Sequence, residues 1–151
     1  MDARRSHDQQ KESALAEVQA VYSDLDARPM LRQCELRAEC CHFKLTGLTP
    51  FLTGGEALLA AKALRASGRR NLPSNSTGAC PLLDRTTSRC LIYHSRPFGC
   101  RSHFCRAAGG PYSRREVLDL IHRLERVDEK LGGNGPRALP DAIAAALRTL
   151  A

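Results

Sequence analysis

The sequence of 151 residues contains no tryptophan, three tyrosines and four phenylalanines, so aromatics make up only 5% of it. A core built from this chain must rest on aliphatic side chains, on alanine, or on something other than side-chain packing. Hydrophobic runs are short, and none approaches the ~18 consecutive apolar residues of a membrane span. The opening MDARRSHDQQKESALAE has no apolar segment ahead of a small-residue cleavage site, so no secretory signal is read there. A soluble, cytoplasmic protein with no membrane partner is expected. There is also no G-x-G-x-x-G, no P-loop and no H-E-x-x-H, which removes the usual sequence basis for dinucleotide, nucleotide or zincin chemistry. No C-x-x-C occurs either, so neither a standard zinc ribbon nor a thioredoxin-like redox pair is supported.

What the chain does have is seven cysteines. An odd number cannot pair completely, and a reducing compartment argues against a disulfide framework. Seven thiols are an unusual way to fill a small core, so metal ligation is the leading reading. For any single cysteine the plain alternative is a small buried apolar residue. The net charge of +7 is concentrated: arginines 85, 89, 96, 101, 106, 114 and 115 share the window 84–115 with one acid, Asp84. The same window carries Cys90, Cys100 and Cys105, with Cys80 just ahead of it. Arginines near thiols lower their pKa and offset the negative charge of a thiolate centre. Part of the basic excess is thus expected to be internal compensation rather than a nucleic-acid footprint.

Length and composition fit one globular domain, 1–151. Residues 1–12 are polar and expected to fray. From Ser13 to about Arg28, Leu15, Val18, Tyr22 and Leu25 recur at helical spacing, and Pro29 ends the pattern. Thr53-Gly-Gly-Glu56 is a capping box ahead of the Ala/Leu-rich run 56–67, with Gly68 as its stop. Residues 69–78 read as an exposed loop. Cys80–Leu83 and Cys90–Tyr93, separated by the polar stretch 84–89, predict a small hairpin, and 96–99 reads as a turn. Ser113-Arg-Arg-Glu116 is a second capping box, opening a helix whose Val117, Leu118, Ile121, Leu124 and Val127 run to Gly132-Gly133. Pro140 begins a last helix with Ile143, Leu147 and Leu150 on one face. The expected fold is mostly α with a small β-hairpin: a compact domain organised around a cysteine-rich metal site at about 34–105, with a helical part at about 113–151. The helical stripes are packing surfaces, and Tyr93 is read as packing too.

The cysteines are spaced Cys34-x5-Cys40-Cys41 and Cys80-x9-Cys90-x9-Cys100-x4-Cys105. Only the last pair falls within common zinc spacing. Adjacent Cys40 and Cys41 point about 100° apart on a helix and to opposite faces of a strand, so one is expected to ligate while the other packs or serves a second centre.

Gly78-Ala-Cys80-Pro-Leu-Leu83, followed by Cys90-Leu-Ile-Tyr93-His-Ser-Arg96-Pro97-Phe-Gly-Cys100-Arg101 and Cys105, resembles the YkgJ-type cysteine-cluster family, whose domain is described as zinc- or iron-chelating. The family pattern is a C-x-x-C-x-x-C-C group, then G-x-C-x-x-L, then C-x-I-Y-x-x-R-P-x-x-C-R. Cys34, Cys40 and Cys41 match the first, third and fourth positions of the first group, while Arg37 stands at the second. The resemblance covers roughly residues 34–105. It implies Cys34, Cys40, Cys41, Cys80, Cys90, Cys100 and Cys105 as candidate metal ligands, with His42, His94 or His103 able to substitute for the missing cysteine: one four-ligand centre with spares, favoured as the principal site, or two zincs if histidines join in. Soft thiolates suit zinc and iron–sulfur clusters alike. Arg96 and Arg101 belong to the matched pattern. They are expected to support the centre through hydrogen bonds to thiolates, backbone carbonyls or a nearby acid, the alternative being to bind an anionic substrate.

Three functions follow. The first is a metal-binding protein whose zinc or iron–sulfur site is structural or serves storage, delivery or sensing. The second is an iron–sulfur redox or group-transfer enzyme, since the same domain resembles part of flagellin lysine methylases. An enzyme is the less favoured reading: the chain leaves little length for a cofactor domain, and Glu35, Glu39 and Asp84 are near cysteines in sequence only. The third is nucleic-acid binding through the arginine-rich centre. It is the least favoured, because no aromatics are interleaved and the helix 113–131 alternates charges as solvated faces do.

Overall fold

A computed structural model of the chain describes residues 2–28, 49–73, 78–84, 86–102 and 112–150. Cys34, Cys40, Cys41, Cys105, His42 and His103, and with them the whole first cysteine group, lie outside the described residues.

The described elements are helix α1 (Asp2–Asp26), strand β1 (Phe51–Leu52), helix α2 (Gly54–Ala66), strands β2 (Leu83–Asp84) and β3 (Arg89–Cys90), a 3-10 turn (Tyr93–Ser95), helix α3 (Phe98–Ser102), helix α4 (Arg114–Lys130), strand β4 (Arg137–Ala138) and helix α5 (Leu139–Leu150). Two antiparallel pairs form, β1 with β4 and β2 with β3. The fold is mostly helical, as the hydrophobic spacing predicts.

Helix α2 is the axle. Gly55, Glu56, Ala57, Leu58, Leu59, Ala60, Ala61 and Leu64 are all buried. Its Leu58 and Leu59 join Leu15, Val18, Val21, Tyr22 and Leu25 of α1 and Val117, Leu120, Leu124 and Val127 of α4 in one apolar cluster. Its Ala57, Ala60, Ala61 and Leu64 join Leu82, Leu83 and Ile92 of the hairpin region and Leu139, Ile143 and Leu147 of α5 in the other. Alanine on the second face lets the hairpin and α5 approach closely, which is how a chain poor in aromatics closes a core. Gly55 does the same where α1, α2 and α4 meet: a Cβ there would stand 2.7 Å from a Val127 methyl and 2.8 Å from a Val18 methyl.

Both capping boxes close as read. The Glu56 carboxylate accepts the Thr53 N–H at 2.9 Å, and Ser113 N–H donates to Glu116 at 2.7 Å. Helix α2 ends at Ser67 with Gly68 at φ 91°, and Gly132 ends α4 at φ 76°. These are left-handed positions where glycine carries no Cβ penalty.

Four expectations change. The polar segment 1–12 is helical from Asp2 onward, although its side chains are almost all exposed. Arg, Gln, Lys and Glu are good helix formers, and extending an already packed helix adds a hydrogen bond for each residue fixed. A second strand pair, Phe51–Leu52 with Arg137–Ala138, accompanies the expected hairpin. It is too short to leave any alternating pattern in sequence. The turn at 96–99 passes directly into α3 at Phe98. The stripe of α4 also runs through Leu120, which is buried, rather than Leu118, which is half-buried.

Candidate metal centre

Cys80, Cys90 and Cys100 are the described cysteines, and two short segments carry them. Cys80 is buried and Cys90 half-buried in the hairpin. The Cys80 carbonyl accepts the Leu83 N–H at 3.0 Å, Leu83 pairs with Cys90 across the ladder, and Leu91 N–H donates to the Leu82 carbonyl at 2.8 Å. These bonds place both cysteines at one end of a four-residue ladder. Its reverse turn is closed by Asp84, which accepts the Thr86 N–H at 2.9 Å, and by Ser88 in the left-handed region at φ 55°. That bond, helped by Thr87 and Arg69, also holds the Asp84 carboxyl below its usual range. Leu82, Leu83 and Ile92 fix the hairpin to α2 and α5.

Cys100 lies on α3. Arg96 takes an extended conformation (ψ 140°) ahead of Pro97, as residues before proline do. Pro97 is fully buried, and its carbonyl accepts the N–H groups of both Cys100 and Arg101 at 3.0 Å. Phe98 is buried against Leu58, Leu59 and α1. Among Pro97, Phe98, Cys100 and Arg101, only Cys100 is left half-buried.

Arg101 is the strongest tie in this segment. Its Nε donates to the Arg96 carbonyl at 2.8 Å, one terminal nitrogen pairs with Asp26 at 3.1 Å, and the other donates to the His94 carbonyl. The guanidinium also stacks 4.3 Å over the Tyr22 ring. Burial lowers the Arg101 pKa, and Asp26 and Tyr22 oppose that shift. Arg96 donates from Nε to the Tyr93 carbonyl at 3.0 Å and lies 3.9 Å over the Tyr93 ring. Each nitrogen of Arg101 thus makes at least one bond to a backbone carbonyl or an acid, which fixes the guanidinium within the protein. His94 is exposed and edge-on to Tyr93.

Glu56 is the residue that sequence reading saw only as half of a capping box. It is 3% exposed. Beyond Thr53, whose hydroxyl donates to it at 2.9 Å, it accepts the Tyr22 hydroxyl at 3.3 Å and the Phe98 N–H at 2.7 Å. Burial raises its pKa, and the hydrogen bonds from Thr53, Phe98 and Tyr22 oppose the shift. Tyr22 is itself raised well above the usual tyrosine range by burial and by Glu56, with Cys100 among the smaller contributors. The sequence signal for this role was a lone acid on the fully apolar face of GGEALLAAKAL.

Among the described residues, no three His, Cys, Asp or Glu side chains converge as a metal site. The other four cysteines, with His42 and His103, fall outside them. The donor chemistry fits the expected metals: thiols dominate, and soft thiolates hold zinc or iron. None of the helices described is long and apolar enough to cross a membrane.

Residues 32–114, just over half of the chain, match the model of the CxxCxxCC family, described as a "Putative zinc- or iron-chelating domain". No curated protein and no solved structure matches the chain.

Proposed function

The chain belongs to the CxxCxxCC family, and from that premise we propose that it holds zinc or an iron–sulfur cluster through cysteine thiolates. The principal site forms where the segment carrying Cys34, Cys40 and Cys41 meets the segment carrying Cys80, Cys90, Cys100 and Cys105. Its role is structural, or it stores, delivers or senses the metal. The observation that carries this reading is that both described thiol-bearing segments are docked on the same helix. The Cys80–Cys90 hairpin packs on the alanine face of α2, and the Cys100 turn packs on Leu58 and Leu59 and is bonded to Glu56. A metal joining these segments to the first cysteine group would add its binding free energy to folding. Arg96 and Arg101 then support the centre by fixing the backbone of 93–101 and by offsetting thiolate charge, not by touching a substrate.

The test is metal content after Cys100→Ser and, separately, Cys90→Ser. Each variant is expected to lose bound metal and melt at a lower temperature. Full metal content with an unchanged melting temperature in both would remove Cys90 and Cys100 from the ligand set.

A further inference from the structure

We propose that Glu56 is the positioning residue for the Cys100 arm of the metal centre, an inference that rests on the thiolate-site reading above. Four donors from three elements converge on its buried carboxylate: the Thr53 N–H and hydroxyl at the start of α2, the Tyr22 hydroxyl of α1, and the Phe98 N–H that opens α3. The Oε2 atom faces Thr53 and the Oε1 atom faces Tyr22 and Phe98, so the carboxylate is a bridge with one end in the framework and the other in the cysteine turn.

One residue, Gly99, separates Phe98 from Cys100, and the turn that holds them is closed on the Pro97 carbonyl. Fixing the Phe98 N–H therefore fixes where that turn begins and where Cys100 projects. Arg101 secures the other end of the turn through Asp26 and the Tyr22 ring. Tyr22 touches both ties, by its hydroxyl to Glu56 and by its ring to Arg101. The thiol is thus held in place by a carboxylate that does not ligate.

The substitution that breaks the bridge cleanly is Glu56→Gln. An amide has one acceptor oxygen, and its NH2 group must face either the Thr53 donors or the Tyr22 and Phe98 donors. One side of the bridge is lost with almost no change in shape. Thr53→Ala is the control, because it removes a hydroxyl on the framework side and leaves the Phe98 bond intact.

The experiment loads the full-length wild type, Glu56→Gln, Thr53→Ala and Cys100→Ser with cobalt(II) under anaerobic reducing conditions. It reads the thiolate charge-transfer absorbance, the affinity by chelator competition and, separately, the melting temperature of the metal-free protein. Glu56→Gln is expected to bind cobalt about tenfold or more weakly, the range for supports of metal ligands, with a changed visible spectrum. Thr53→Ala is expected to lower the melting temperature while keeping the wild-type spectrum and affinity. Cobalt affinity and spectrum unchanged in both Glu56→Gln and Tyr22→Phe would overturn the proposal while Cys100→Ser still loses the metal; a Glu56→Gln weakened no more than Thr53→Ala has kept the Phe98 bond, and Tyr22→Phe then decides. If Cys100→Ser binds cobalt as the wild type does, the ligand assignment itself fails, and this inference fails with it. Should Glu56→Gln not fold, Tyr22→Phe decides: it removes one donor from the same oxygen but keeps the ring under Arg101. A several-fold weaker affinity supports the bridge and an unchanged one rejects it.

Discussion

The two sides of helix α2 are built differently. Toward α1 and α4 it meets long helices that bury leucine and valine at regular spacing, joined at the surface by Arg28 with Asp119 and by Arg123 with Glu17 and Asp24. On its other side it meets α5, which buries Leu139, Ile143 and Leu147 there, and the hairpin, whose strands of two residues each hold by a handful of backbone bonds and three or four apolar side chains. The first side carries enough apolar contact to stand by packing. The second carries Cys80 and Cys90 on a hairpin that offers little cooperative structure of its own, since isolated two-stranded ribbons are marginal in water, while Cys100 projects from the short α3 turn docked against Leu58, Leu59 and α1. A metal matters most where local structure is least: it should stabilise the hairpin and the α3 turn and leave α1 and α4 nearly as they were.

The largest expected effect follows directly. Metal removal by a chelator under reducing conditions should speed amide exchange at 80–92 and 93–102, while the buried faces of α1 and α4 keep most of their protection. Uniform loss of protection would mean that both sides depend on the metal. Uniform retention would mean that neither does.

Cavity mutations sharpen the same contrast. Leu120 and Leu82 are each 1% exposed, one in the α4 stripe and one in the hairpin. Leu120→Ala should cost about 2–5 kcal/mol whether or not metal is bound. Leu82→Ala should cost a similar amount in the loaded protein and clearly less in the metal-free protein, because the hairpin is already loosened there. Chemical denaturation of the four combinations measures the difference.

Gly55→Ala acts on the helical side alone. Its Cβ would meet Val127 and Val18 well inside contact distance, so a loss of about 1–3 kcal/mol is expected from overpacking. Metal affinity should not move. A weakened affinity would show that strain at the α1, α2 and α4 junction reaches the cysteines.

The helical side was also the legible side. Leu15, Val18, Tyr22 and Leu25, the two capping boxes and the glycine stops are local signals with a period, and the structure places each where the spacing predicts. The cysteine side yields less because its order is not periodic. The β1–β4 pair joins residues far apart in sequence, and Glu56 reads locally as a cap although its two longest-range bonds, to Tyr22 and Phe98, span 34 and 42 residues. Asp128 hides in the same way. It reads as one more charge on α4, yet it is buried and accepts the Gly54 N–H at 2.6 Å and the Gly135 N–H at 2.9 Å, tying the start of α2 to the loop before β4. Arg96 and Arg101 were expected to donate to thiolates, backbone carbonyls or an acid; the bonds described go to the Tyr93, Arg96 and His94 carbonyls and to Asp26.

Smaller effects come from protons. Burial raises Glu56, so the folded chain holds that proton more tightly than the unfolded chain. Its contribution is present below the ordinary glutamate range and is lost as pH rises through the raised native value. Glu56→Gln should flatten this decline in a series of melting temperatures taken upward from mildly acidic pH, with Tyr22 and Arg101 in place in both proteins. Asp119, held low by Arg28, gives the opposite slope at more acidic pH, where stability falls as pH drops. Being a surface pair, it should change stability by only a few tenths of a kcal/mol on Asp119→Asn.

The most direct test is the metal and acid-labile sulfide content of wild-type protein purified without oxygen, with its visible spectrum. The account predicts bound metal in stoichiometric amount: zinc in a colourless solution, or iron with matching sulfide and a brown absorbance that fades in air. Protein that folds with neither metal, and whose hairpin exchanges no faster after chelation, would contradict it.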